Sequence, residues 1–94
     1  MGDERKAVLV TTESRGVFFG YLEEGQDESS RELVLCQCRN AIYWAGKKGF
    51  LGLASDGPDE GSRIGVTATR VRLHGVTSLT ECTAAAAKKW SEWS

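Results

Sequence analysis

The sequence predicts an α+β domain: a small antiparallel β-sheet of about five or six strands, rolled or half-closed into an open barrel, with one short helix at the C-terminal end. Three observations lead there. Short β-branched and aromatic runs recur between segments of turn chemistry, and strong helix formers gather only in AAAAKKW near the end. At 94 residues the chain has room for one core, so residues 1–94 are read as a single domain.

Ala7 to Thr12 is the first β-branched run, and Glu13-Ser14-Arg15-Gly16 supplies turn residues for a hairpin. In the next run, Val17, Phe19 and Tyr21 alternate with Phe18, Gly20 and Leu22. Both faces carry apolar groups, which predicts a strand covered on two sides. The polar stretch EEGQDESSR, from Glu23 to Arg31, reads as an exposed loop. Glu32 to Cys38 resumes a strand, and alternation sets Leu33 and Leu35 against Val34, Cys36 and Cys38. Ala41 to Ala45 continues it, and Lys47-Lys48-Gly49 is expected to turn Phe50 to Ala54 back as the second arm of a hairpin. Asp56 to Gly65 holds the only proline and reads as a long loop. In Val66 to His74, Thr67, Thr69, Val71 and Leu73 alternate with Ala68, Arg70, Arg72 and His74. Thr83 is the expected N-cap of the helix, which presents Ala86, Trp90 and Trp93 on one stripe.

A net charge of -1 gives no basis for general nucleic-acid binding. No apolar run is long enough to span a bilayer, and MGDERKAVLV bears charges where a signal peptide needs its apolar segment. The chain is therefore expected to stay in the cytoplasm of the cell that makes it. Three tryptophans, two tyrosines and three phenylalanines are many for a chain this short, which predicts a homo-oligomer.

Cys36-Gln37-Cys38, with Cys82 and His74, has the ligand types of a zinc site but not the C-x-x-C spacing usual for one. The thiols are read as small buried hydrophobes and no metal or cofactor is expected. His74 alternates with Arg72 on a strand, where a solvated or salt-bridged role fits better than catalysis, and the carboxylates fall in polar loops. No catalytic motif emerges, so the chain is read as a non-enzyme. Arg39, Asn40, Tyr43, Trp44, Lys47, Lys48, Ser62 and Arg63 bring cations, an amide, hydroxyls and aromatic faces into two adjoining segments. Such groups suit a base-and-phosphate ligand, with Tyr43 or Trp44 stacking, Arg39 and Arg63 pairing with phosphates, and Ser62 and glycine N–H groups completing a cradle. Tyrosine and tryptophan beside arginine equally describe a protein interface, to which Phe18, Tyr21 and Trp93 would contribute.

The segments TTESRGVFFGYLE, RNAIYW, GFLGLASDGP, GSRIG and LHGVTSLTEC, in that order, resemble a family of short proteins of tailed bacteriophages and prophages that is known as a domain of unknown function. The resemblance spans about Val10 to Trp93 and implies no catalytic residues. It implies a phage accessory protein working in the host cytoplasm. The leading expectation is that a homo-oligomer sequesters a nucleotide-like host immune messenger; the alternative is docking on a host protein or virion component.

Overall fold

A computed structural model describes residues 5–13, 16–44 and 49–93. It shows the expected α+β architecture: six strands in one antiparallel, open sheet and a short C-terminal helix. The strands are β1 (Ala7–Thr12), β2 (Val17–Leu22), β3 (Glu32–Tyr43), β4 (Arg63–Ile64), β5 (Ala68–His74) and β6 (Val76–Glu81). The helices are α1 (Gly52–Ser55) and α2 (Ala84–Glu92). Ser14, Arg15, Lys47 and Lys48, assigned to turns from sequence, lie outside the described residues.

The central run is β6-β1-β2-β3, and the far edge of β3 is shared by β5 along Glu32–Cys38 and β4 along Ala41–Tyr43. Only Gly75, at φ 68°, separates β5 from β6, yet the two occupy opposite edges. The sheet must therefore curl, and the positive φ of Gly75 suits the bend between them.

Curling gives the sheet an inner and an outer core. Val8, Val10, Leu22, Leu33, Leu35, Cys38, Leu73 and Val76 cluster on the inner side, with Phe18 packed against them. Leu9, Val17 and Phe19 face outward and are covered by Leu53 and Ala54 of α1 and by Ala86, Ala87 and Trp90 of α2. The two-sided apolarity of Val17 to Leu22 has this cause: one face lines the roll and the other receives the helices.

Trp90 is the anchor of the outer core. Its ring stacks on Phe19 at 5.4 Å and its Nε1 donates to the Leu53 carbonyl at 2.9 Å, so its one polar atom is satisfied inside the core. Thr83 caps α2 as the sequence predicts, its Oγ1 accepting from the Ala86 N–H at 3.0 Å.

Two expectations are corrected. Phe50 to Ala54 does not return as a strand: Gly52–Ser55 form α1, and the strand that pairs with the end of β3 is Arg63–Ile64. Phe50, Leu53 and Ala54 all pack into the outer core, an i, i+3, i+4 spacing that a helical turn serves and an alternating strand does not. The thiols of Cys36 and Cys38 do not share a side either. Gln37 sits at φ 50° in a bulge, where Phe19 pairs with Arg39 but Tyr21 pairs with Cys36. The extra residue resets the alternation, so Cys38 joins Leu33 and Leu35 inside while Cys36 lies across from the outward Tyr21. Gly20 fits this crowded crossing because a Cβ there would lie 2.9 Å from Leu35 Cβ.

Candidate functional site

The residues singled out from sequence lie on or beside the β3–β4 arm, where the structure divides them into two settings. Arg39 lies across from Phe19 on the outward face and is 8% exposed. Its Nε donates to the Gly65 carbonyl at 2.8 Å, and its Nη1 donates to the carbonyls of Trp90 at 2.9 Å and Trp93 at 2.6 Å. The last carbonyls of a helix lack partners within the helix, so the guanidinium satisfies the end of α2 and ties it to β3. Ser62 is also buried at 8%, and its N–H donates to the Asp59 carbonyl at 3.1 Å. Trp44 is half-buried against the outer core with Phe50 and Ile64.

The second setting is open. Tyr43 and Arg63 are cross-strand partners and both are exposed. Asn40 is exposed beside them, its carbonyl accepting from the Gly65 N–H at 2.8 Å. Exposed large apolar side chains concentrate here: Ile42 at 62%, Tyr43 at 59% and Val66 at 87%, with Leu51 at 61% where α1 begins. Thus the structure brings Tyr43, Arg63 and Asn40 to one rim, while Arg39, Ser62 and Trp44 serve the interior. The six are not brought to one place: Arg39 is tied to the end of α2, Trp44 packs on the outer core, and Ser62 is buried with its N–H on the Asp59 carbonyl.

Arg39 does floor a small cleft of about 170 Å³, lined also by Tyr21, Gln37, Thr67 and Ser91. Tyr21 Oη and Ser91 Oγ share a hydrogen bond of 3.3 Å at its wall. Sequence reasoning missed Gln37 and Ser91 here, and it missed Ile42, Leu51 and Val66 on the rim. Nothing local marks the bulge, and a strand-like apolar residue such as Val66 reads as core until its partners are known.

On β5, Arg70, Arg72 and His74 are all exposed. Arg70 makes a two-point contact with Glu23, at 2.8 and 2.9 Å, and the hydrogen bond from Arg70 holds the Glu23 carboxyl below its usual range. His74 Nδ1 lies 3.5 Å from Glu32. Burial pushes the Cys38 thiol up to about 11 and the Cys82 thiol up to about 12, so neither supplies much thiolate near neutrality. Among the described residues no group of three or more His, Cys, Asp and Glu side chains is placed to hold a metal ion. No described helix is long and apolar enough to cross a membrane.

Fold and site together define a small curled-sheet α+β module with two cores and an exposed aromatic and aliphatic rim. The chain belongs to the family described as a domain of unknown function (DUF6948), whose model matches residues 5–90. No curated protein and no solved structure matches it.

Proposed function

We propose that the chain is a non-catalytic protein-interaction module that docks through the rim formed by the end of β3, by β4 and by Val66. The observation behind this reading is the concentration of exposed large apolar side chains, Ile42, Tyr43 and Val66, around Arg63 on the shortest strand of the sheet. A tyrosine and an arginine side by side among aliphatic groups have the composition of interface hot spots. In the phage setting implied by the sequence resemblance, the partner is a host protein or a virion component in the host cytoplasm.

The test is retention of a partner by immobilised full-length chain in lysate of infected and uninfected host cells. Tyr43→Ser with Val66→Ser is expected to weaken retention about tenfold, equivalent to about 1.4 kcal/mol, with the melting temperature unchanged. Equal retention by the double variant would remove the rim from consideration.

A second reading, sequestration of a nucleotide-like anion, is favoured by the Arg39 cleft. Its volume of about 170 Å³ matches about six water molecules at roughly 30 Å³ each, room for an anionic group rather than a whole nucleotide. In this reading Arg39 with Tyr21 takes the place of the set Arg39, Asn40, Tyr43, Trp44, Ser62 and Arg63, and Tyr43 with Arg63 would meet any part of the ligand at the rim instead.

A further inference from the structure

The curled sheet leaves two edges, and they differ in charge. Among the described residues β6 pairs only with β1, and β5 only with β3. Alongside β6 runs an open groove of about 720 Å³, lined by Val76–Glu81 on one side and by Glu28, Ser29 and Ser30 on the other. Edge strands are commonly protected by proline, lysine or an inward charge. β6 reads VTSLTE, with no proline or lysine and with its single charge at the end. Two carboxylates, Glu28 and Glu81, flank the groove; Lys6 bridges both, at 2.9 and 3.5 Å, which leaves the groove acidic. The opposite edge is basic. Arg70, Arg72 and His74 stand exposed along β5; Arg70 makes a two-point contact with Glu23, His74 Nδ1 lies 3.5 Å from Glu32, and Arg72 stands between them.

We propose that the β6 groove of one copy receives the β5 edge of a second copy. Main-chain hydrogen bonds between the two edges extend the sheet across the joint beyond Val76, whose N–H is already given to the Arg31 carbonyl at 2.9 Å, and the basic stripe of β5 meets Glu28 and Glu81. Because β5 and β6 lie on opposite edges of every copy, each chain offers both halves of the joint. A contact of this head-to-tail kind repeats around a closed ring, or along a filament if the rotation does not close. The rim of Ile42, Tyr43 and Val66 is not part of this joint, so the assembly would display one rim per copy and multiply its avidity for a partner.

The full chain is examined by native mass spectrometry and sedimentation over a concentration series at low and high salt. The expected result is an assembly above the dimer that loosens as salt rises. Arg72→Glu or Glu81→Arg alone is expected to raise the dissociation constant about tenfold, and Arg72→Glu with Glu81→Arg together to restore most of it. On the unaltered chain, the outward amides of β5 and β6 are expected to gain protection from hydrogen exchange as concentration rises. A chain monomeric throughout would overturn the proposal, as would assembly indifferent to both charge reversals or β6 amides protected only when a different protein is added. Tyr43→Ser with Val66→Ser is expected to assemble like the unaltered chain, so failure of the rim reading and failure of this one are told apart.

Discussion

Arg39 shows how a residue chosen for one chemistry can be held by another. A guanidinium offers five donors in a flat fork, which suits phosphate, and here that same fork spans carbonyls from two segments, Gly65 on one side and Trp90 with Trp93 on the other. Removing it takes the guanidinium donors from three carbonyls in a largely buried place, of which that of Trp90 keeps the Trp93 N–H at 3.4 Å. Arg39→Ala is therefore expected to cost about 3 kcal/mol in urea unfolding, and Arg39→Lys to recover only part, because an ammonium cannot reach both segments. A loss below about 0.5 kcal/mol for the alanine variant would show that water replaces these bonds. Gln37 gives the opposite expectation. Its φ of 50° is unfavourable for any residue with a Cβ, so Gln37→Gly is expected to match or exceed the parent stability by up to about 1 kcal/mol, while Gln37→Val loses more than that. Thermal melts of the pair decide it, and equal destabilisation by both would mean that the glutamine side chain, rather than the bulge, matters.

Between α2 and the sheet, stability rests on one large contact. Trp90 is fully buried, stacked on Phe19 and hydrogen-bonded to Leu53 of α1, so it joins both helices to β2. Trp90→Ala is expected to cost about 3–5 kcal/mol, and Trp90→Phe less, since phenylalanine keeps the stack and loses only the indole N–H. Calorimetry checks this, and a small effect would mean that α2 docks mainly through its alanines. Helix α2 was legible because every local signal agreed: a threonine cap, a run of alanines and a tryptophan at the right spacing. The two-sided strand β2 was legible for a similar reason, as its alternation had apolar groups on both faces. Helix α1 was not, because five residues around Leu53 satisfy a strand and a helical turn equally until tertiary contacts choose. The bulge at Gln37 was not legible either: a single added residue leaves no trace in a pattern of period two, yet it reverses every face assignment after it. From that point the grouping of Arg39, Asn40 and Tyr43 depended on a register the sequence does not display, which is why the rim was only half anticipated.

For the molecule as a whole, the curled sheet has a useful property: each of its two cores holds one shielded thiol. Cys38 lies in the inner cluster and Cys82 packs against the outer one. Both thiols have folded-state values above the ordinary thiol range, about 11 and about 12, with burial as the cause. An acid whose value rises on folding holds its proton more tightly in the folded chain. The stability it contributes is therefore fully present below about pH 8.5, where the unfolded thiol is also neutral, and declines as pH climbs toward about 11 and 12. Unfolding free energy is expected to fall over that alkaline window, and to fall less steeply in Cys38→Ala and Cys82→Ala chains. Tyrosine and lysine ionisation is common to all three chains, so the difference in slope isolates the thiols. The same two groups also time the opening of the cores. If the sheet unfolds as one cooperative body, pulsed alkylation in mild denaturant labels Cys38 and Cys82 at one rate, because losing β1 or β2 exposes both sides together. If α2 detaches first, Cys82 reacts well ahead of Cys38, and Trp90→Ala widens the gap. Labelling of Cys38 ahead of Cys82 would contradict both courses, since it requires the inside of the roll to open while its helical cover stays in place.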